Sequence, residues 1–269
     1  MTTHDQHVRV TYVGGPTILL EMGGLRLLTD PTFDPAGSEY TTPVYTLRKT
    51  QSPAISADAI GPIDAVLLSH DHHFDNLDRA GRALLADAGR VITTVTGAER
   101  LGPPTIGITP WQSMEITTPN GARLRVTGTP ARHGPADGDR GPVTGFILAL
   151  DDHPDDAIYI SGDTVWYDGV AEVARRFQVR LAVMFMGAAR VREVGPAHLT
   201  LAAEESRAIV DAFPDALIVP VHYEGWGHFS EGRAQIERAF ADAGAASRVR
   251  WIEAGEPTDL PLTVPASRA

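Results

Sequence analysis

Residues 69–78 read S-H-D-H-H-F-D-N-L-D and directly follow the apolar run A-V-L-L at residues 65–68. This pattern predicts a buried strand that delivers three histidines and three aspartates on a short loop. Imidazole and carboxylate groups are the usual nitrogen and oxygen ligands of zinc and its neighbours. His70 and His72 are two residues apart, so both can point the same way on an extended backbone. A polar surface turn is the alternative, but this density of ligand-type side chains favours a metal site.

The composition indicates one globular α/β domain spanning residues 1–269, with 43% hydrophobic and 21% charged residues. No apolar stretch reaches the roughly 18 residues that a membrane span needs, and the amino terminus lacks a basic region followed by an apolar one. We therefore predict a cytoplasmic protein without a membrane span. The absence of cysteine excludes disulfides and thiolate ligands. A net charge of −11 argues against nucleic acid and anionic lipid as partners.

Periodicity and turn residues place the secondary structure around this motif. Short strands are predicted at residues 8–13, 17–22 and 25–28, and a helix follows the motif at residues 77–88. A second helix is predicted at 200–213, the last strand at 249–252, and an irregular tail after Pro257. The long segment 32–60 contains aromatic and basic residues, and it either lines a substrate pocket or packs on the surface.

Four predicted strands lead to residues that can bind a metal. These residues are His70, His133, Asp163 and His222. Taken singly, each histidine has a plain alternative as a surface or core residue, and Asp163 has one as a cap of the following turn. Functional groups of a layered α/β domain collect on loops at one sheet edge, so the joint pattern favours a shared site.

The order of these motifs resembles the metallo-β-lactamase superfamily over about residues 8–255. The resemblance rests on His-x-His with a following Asp, the later His133, Ser161-Gly162-Asp163 and the strand-end His222. Three further segments are similar to the branch that contains ascorbate-6-phosphate lactonase-like proteins and N-acyl-phosphatidylethanolamine-hydrolysing phospholipase D: Asp30-Pro31, Leu77-Asp78 and Ala197-His198-Leu199-Thr200. The fold that the resemblance implies is α/β, a four-layer αββα sandwich with the metals at one edge of the two sheets.

The resemblance also implies a set of ligands. The first metal would be held by His70, His72 and His133, the second by Asp75 and His222, with Asp163 bridging the two. The family pattern is His-x-His-x-Asp-His, whereas this chain has one additional residue after His72 and carries Asn76 at the position of the last histidine. Asparagine offers only a weak neutral oxygen, so either His73 substitutes for the missing imidazole or the second site is weak or empty.

The implied chemistry is hydrolysis by water that one or two Zn²⁺ ions activate, with Mn²⁺ as an alternative. Bound zinc lowers the pKa of water from ~15.7 towards about 7. Asp75 is a candidate general base, and His198 either contacts the substrate or only begins a helix. Asp30 and Asp78 either orient the metal-bound imidazoles or cap local structure.

We therefore predict a metal-dependent hydrolase of a small ester, lactone or phosphodiester. One alternative is a non-catalytic or weakly catalytic metal-binding protein with a degraded second site, which Asn76 favours. The other is a nuclease of the same superfamily, which the negative charge disfavours. A phosphorylated substrate would need a cationic clamp, for which four residues are candidates: Arg48, Lys49, Arg132 and Arg190.

Overall fold

The computed structural model of the protein describes residues 7–262. The amino-terminal residues in which we found no signal sequence, and the last residues of the tail, lie outside this range. The first sheet has seven strands in the order β15 (Thr258–Pro261), β1 (His7–Gly14), β2 (Thr17–Met22), β3 (Leu25–Thr29), β6 (Ala65–Leu67), β7 (Val91–Thr94) and β8 (Ile106–Ile108). The second has six strands in the order β14 (Leu217–Val221), β13 (Val179–Phe185), β12 (His153–Ile160), β11 (Thr144–Leu150), β10 (Arg123–Pro130) and β9 (Ser113–Thr117).

Five α-helices of the described residues flank these sheets: α1 (Arg79–Leu84), α2 (Val95–Leu101), α3 (Asp168–Arg176), α4 (Ser206–Ala212) and α5 (Arg233–Asp242). Short 3₁₀ helices cover Arg192–Val194, Ala203–Glu205 and Ala246–Arg248, and a small hairpin is formed by β4 (Glu39–Thr41) and β5 (Thr46–Arg48). Within residues 7–262, none of the helices has the length and apolarity required to cross a lipid bilayer.

Alternation of apolar side chains along the strands produces the four layers. In β12, Ile158 and Ile160 enter a core shared by both sheets, whereas Tyr159 points outwards into a cluster with α3, α4 and α5. In the first sheet, Leu67 faces the shared core while Val66 faces the side of α1. Each sheet therefore buries both faces, one against the other sheet and one against helices. The αββα sandwich predicted from the resemblance is confirmed.

Parallel strands bring several carboxyl ends to one edge of the sandwich. Strands β3, β6, β7 and β8 are mutually parallel, as are β12, β13 and β14. Backbone hydrogen bonds join the sheets there: Thr144 N donates to Ser69 O at 3.0 Å, and His222 N donates to Gly15 O at 2.8 Å. The residues that follow β6, β12 and β14 consequently meet at this edge.

Three predictions of secondary structure need correction. The helix predicted at 77–88 is shorter, because α1 covers only Arg79–Leu84 and the hydrogen bonds after it run to the residue three positions back, from Ala86 N to the Ala83 carbonyl. The helix predicted at 200–213 begins later, because Thr200 Oγ1 accepts a hydrogen bond from Ala189 N and donates to Met186 O, which ties this residue to the end of β13. Residues 249–252 make only an isolated bridge, between Val249 and Ile218, and form no strand. The last strand is instead β15, in the tail predicted to be irregular, since Leu260 enters the core between the sheets.

Candidate metal centre

The loop between β6 and α1 is held by aspartates at both ends. Ser69 N donates to Asp30 Oδ1 at 2.7 Å. At the other end, Asp78 caps α1 by accepting from Gly81 N at 2.8 Å, and its second oxygen accepts from Lys49 Nζ at 2.9 Å. Lys49 and Asp78 are both buried, so the loop is anchored by an ion pair shielded from water. Of the two roles predicted for Asp78, the structure favours capping.

Three imidazoles form what we call the first cluster: His70, His73 and His133. Nδ1 of His73 lies 3.0 Å from Nε2 of His70 and 3.1 Å from Nε2 of His133. The other ring nitrogens of His133 and His70 have partners of their own. His133 Nδ1 donates to the Leu199 carbonyl at 2.8 Å, and His70 Nδ1 lies 2.8 Å from Ser69 Oγ. These contacts aim both Nε2 atoms at a common point, as in many metal sites.

His72 lies beside this cluster in a different orientation from the predicted one. Its Nε2 donates to the carbonyl of Arg140 at 2.8 Å. One of its nitrogens still lies within 4.8 Å of ligand atoms of His70 and His73. The additional residue in the motif thus places His73, rather than His72, between His70 and His133. The assignment of His72 as a ligand stays a prediction, and the geometry favours His73 in its place.

Asp75, His222 and His228 form the second cluster. Oδ2 of Asp75 lies 3.6 Å from Nε2 of His222 and 3.0 Å from Nε2 of His228. Asp163 stands between the clusters: its Oδ1 is 2.9 Å from His222 Nδ1, and its Oδ2 is 3.6 Å from His133 Nε2. The two carboxylate oxygens of Asp163 therefore face opposite sides.

The backbone is strained at two of these strand ends. Asp30 and His222, neither of which is glycine, have φ angles of 27° and 57°. Such conformations cost about 1–3 kcal/mol each and persist where the surroundings determine them. His222 is fully buried and follows β14 directly, and the left-handed turn directs its ring towards Asp163 and Asp75.

Electrostatic conditions differ between the clusters. Burial lowers the pKa of His73 to about 3, and together with repulsion from His73 and His133 it moves the pKa of His70 well below its usual value. Burial of His222 would also lower its pKa, but the carboxylates of Asp163 and Asp75 outweigh this effect and raise it to about 10. Burial would raise the pKa of Asp75, yet His228 and His222 hold it well below the usual range.

The buried polar atoms here fit divalent cations. Both oxygens of Asp163 and both nitrogens of His222 are buried and make no hydrogen bond. Ligand bonds of 2.0–2.2 Å in a tetrahedral shell place neighbouring ligand atoms about 3.4 Å apart. The separations within and between the clusters, from 2.9 to 4.0 Å, lie on either side of that spacing. Two groups bring ligand atoms within 4.8 Å on either side of Asp163: His70, His133 and Asp163; and Asp75, Asp163 and His222.

A cavity that is partly open to solvent reaches both clusters. Its polar wall contains His73, Asp75, His133, His228 and Arg140. The rest of its lining is largely apolar and is formed by Tyr45, Leu47, Ala189, Val191, Val194 and Leu199. Part of the segment 32–60 thus lines the cavity, in agreement with the first of its two predicted roles.

Several other predicted residues lie away from this cavity. His198 does not line it, and its Nε2 is 3.4 Å from Glu205 Oε1. None of the four predicted cations lines it either. Arg48 pairs with Glu39, Lys49 with Asp78, Arg132 stacks on Tyr167, and Arg190 donates to the Pro196 carbonyl.

Two residues of the site were not assigned from the sequence. His228 lies in a glycine-hinged aromatic segment that follows His222, and its position in a loop that returns to the site is the signal that could have identified it. Arg140 lies in a polar, glycine-rich segment that carries no ligand pattern. Its contact with the cavity depends on the tertiary fold.

Comparison with known proteins assigns the chain to a family. Residues 25–223 match the model described as the beta-lactamase superfamily domain. The UPF0173 protein YddR of Bacillus subtilis is 23% identical, with 93% of this chain and 98% of that protein covered. A UPF0173 metal-dependent hydrolase of Pyrobaculum aerophilum is 25% identical, with 80% of this chain and 84% of that protein covered.

Solved structures share the fold. A possible metal-dependent hydrolase of Veillonella parvula superposes with a TM-score of 0.80 at 21% identity, over 93% of this chain and 98% of that one. The isothiocyanate hydrolase from Delia radicum gut bacteria superposes with a TM-score of 0.79 at 22% identity, over the same shares of both chains. The match to the family model confirms the predicted superfamily and these structures confirm its fold, while the narrower branch stays a prediction.

Proposed function

Because the chain belongs to the beta-lactamase superfamily, we propose that it is a metal-dependent hydrolase with a two-ion site on either side of Asp163. Relatives named metal-dependent hydrolases support the reaction class. The first ion would be held by His70, His73, His133 and Asp163, and the second by Asp75, Asp163 and His222. Zn²⁺ suits these nitrogen and oxygen ligands best, with Mn²⁺ as an alternative.

The observation that carries this proposal is the placement of Asp163. Its two oxygens face opposite clusters of buried ligand atoms, and both clusters border one cavity. When bound, the ions would supply a Lewis acid for the substrate oxygen and a lowered pKa for water. A merely structural carboxylate at this depth would be expected to have hydrogen-bond donors instead.

The chain's own residues account for the remaining requirements of hydrolysis. Asp75 lies on the cavity wall, and its depressed pKa keeps it ionised, so it can bind a cation or orient the attacking water by accepting a hydrogen bond from it. The apolar part of the lining, with Leu47, Val191 and Leu199, would pack against the substrate and limit the access of bulk water. His133 and His70 are held in place by Leu199 and Ser69 before any substrate binds.

The cavity lining favours a small ester or lactone over a phosphodiester. A phosphodiester carries a negative charge that proteins usually meet with several cationic donors. Arg140 is the one arginine or lysine among the described residues of this lining, and its Nη2 lies 3.5 Å from the Val194 carbonyl. A neutral acyl group with an aliphatic portion fits the apolar wall better. The location in the cytoplasm and the exclusion of nucleic acid stay predictions.

A hydrolysis assay with three classes of substrate tests this function. Protein loaded with Zn²⁺ is offered a short-chain aryl ester, a small lactone and an aryl phosphodiester. We expect ester or lactone hydrolysis that a chelator abolishes and added Zn²⁺ restores, with the phosphodiester at least about tenfold slower. A faster phosphodiester reaction would contradict the substrate class. No metal-dependent hydrolysis of any class by fully loaded protein would favour the non-catalytic alternative.

A further inference from the structure

The second cluster lacks the imidazole that the His-x-His-x-Asp-His pattern would supply. Asn76 stands at that position, fully buried, and neither its amide oxygen nor its amide nitrogen has a hydrogen-bond partner. A carboxamide oxygen is a weak neutral ligand beside an imidazole nitrogen. The motif alone therefore leaves the second site one strong ligand short.

An imidazole from another part of the chain contacts the same carboxylate. Nε2 of His228 lies 3.0 Å from Asp75 Oδ2, closer than the 3.6 Å of His222 Nε2. The side chains of His228 and Asp75 are only 9% and 7% exposed. Two imidazole nitrogens of the loop after β14 thus approach one oxygen of Asp75, and His228 and Asp75 line the cavity.

The backbone holds His228 firmly in this position. Arg190 N donates to the His228 carbonyl at 2.9 Å, and Gly227 N donates to the Arg48 carbonyl at 2.9 Å. Bridges pair Trp226 with Lys49 and Phe229 with Ala189 on either side of His228. The loop after β14 is thus fixed by two neighbouring segments, and a preorganised imidazole loses little conformational entropy on binding a cation.

We propose that His228 is a ligand of the second metal ion and replaces the imidazole that Asn76 does not provide. The second ion would then be bound by Asp75, Asp163, His222 and His228. This inference rests on the proposed two-ion hydrolase. The loop at residues 222–229 would supply the imidazole that the motif lacks, so the second site would bind an ion although Asn76 replaces the histidine.

Titration with Co²⁺ tests this assignment, because it measures the number and affinity of bound ions without an activity assay. Metal-free wild-type protein and the variants His228→Ala and His228→Gln are titrated, with visible absorption and equilibrium dialysis as readouts. His153→Ala is the matched control, because that histidine lies next to Asp152 and Asp156, away from both clusters. Circular dichroism and thermal unfolding of each metal-free variant verify that it folds, and the conservative glutamine keeps the loop filled if alanine destabilises it.

We expect wild type and His153→Ala to bind two Co²⁺ ions, and both His228 variants to keep the first ion. Loss of a partner that only orients a ligand costs 10–100-fold in affinity, so loss of a direct ligand should weaken the second ion by more than about 100-fold. A smaller loss would overturn the assignment, because His228 would then only hold Asp75 in place.

The outcomes also separate this inference from the proposed function. Two ions bound equally well by wild type and both variants would overturn the role of His228 alone. A single ion in wild type, unaffected by His228→Ala, would overturn both this role and the two-ion form of the proposed site, and would leave a mononuclear hydrolase. No ion in wild type would overturn the proposed function itself.

Discussion

The first and second clusters differ in charge and in how the chain assembles them. Two of the first cluster's three imidazoles, His70 and His73, lie in one loop, and burial lowers the pKa of both. The second cluster joins Asp75 to two histidines about 150 residues away in sequence, and its carboxylates raise the pKa of His222 to about 10. The first cluster thus offers neutral imidazole nitrogens to a cation. The second offers carboxylates, and the proton on His222 must leave when a metal ion binds.

Replacing the residue shared by both clusters should have the largest effect. We expect Asp163→Asn to release both ions and to lower kcat/KM by more than about 10³-fold, about 4 kcal/mol, because metal ions supply several kcal/mol of transition-state stabilisation. Elemental analysis and ester kinetics measure the two effects, with the exposed Asp152→Asn as control. Two ions retained by Asp163→Asn would show that Asp163 does not bridge.

Removing His73 should affect the first cluster alone. We expect His73→Ala to lose the first ion and to reduce kcat/KM by about 10²–10³-fold, because its Nδ1 is central to that cluster. His72→Ala should reduce it by less than about tenfold, since His72 Nε2 is engaged by the Arg140 carbonyl. The opposite order of effects, measured by metal content and kinetics, would restore His72 as the ligand.

These two histidines mark the limit of prediction from sequence. The strand before residue 69, the capped helix after it and the meeting of His70, His133, Asp163 and His222 at one edge all followed from apolar periodicity and strand ends. Which of the two histidines faces His133 could not be predicted. His72 and His73 have the same side chain, and only the contact of the loop with Arg140 distinguishes them.

Tertiary pairing explains the other differences. His228 reaches Asp75 because its loop pairs with residues near 189 and 49, and no local pattern encodes that pairing. His198 precedes a helix as expected, but it turns to Glu205 and away from the cavity. Strand β15 forms because Leu260 and Leu262 find the inter-sheet core beside β1, although the segment is short and contains proline.

Proton release should distinguish the clusters by the sign of their pKa shifts. The pKa of His222 is raised, so in metal-free protein it carries a proton at pH 6 that a metal ion must displace. The lowered pKa values of His70 and His73 leave them neutral at that pH, and metal-bound water, with a pKa of about 7, keeps its protons. Calorimetry in buffers of different ionisation enthalpy should therefore find about one more proton released by the second equivalent of Zn²⁺ than by the first. Equal release would contradict the difference in charge.

The smallest effect is expected outside both clusters. Glu205 raises the pKa of His198 through their side-chain contact, so this pair adds stability that is fully present below the unfolded pKa of about 6.5. That contribution is lost as the pH rises through the raised folded value. His198→Gln should remove about 0.3–1 kcal/mol of unfolding free energy at pH 6 and less at pH 9, by urea denaturation. Ester hydrolysis should change less than about twofold, and a loss of about 10²-fold would return His198 to the predicted catalytic role.

The most direct test of the two-cluster site is the metal content of wild-type protein, purified without chelator or nickel affinity resin and measured by elemental analysis. We predict two ions per chain after dialysis against dilute Zn²⁺, one for each side of Asp163. A single ion per chain would contradict the second cluster as a metal site, and protein that takes up none would contradict both.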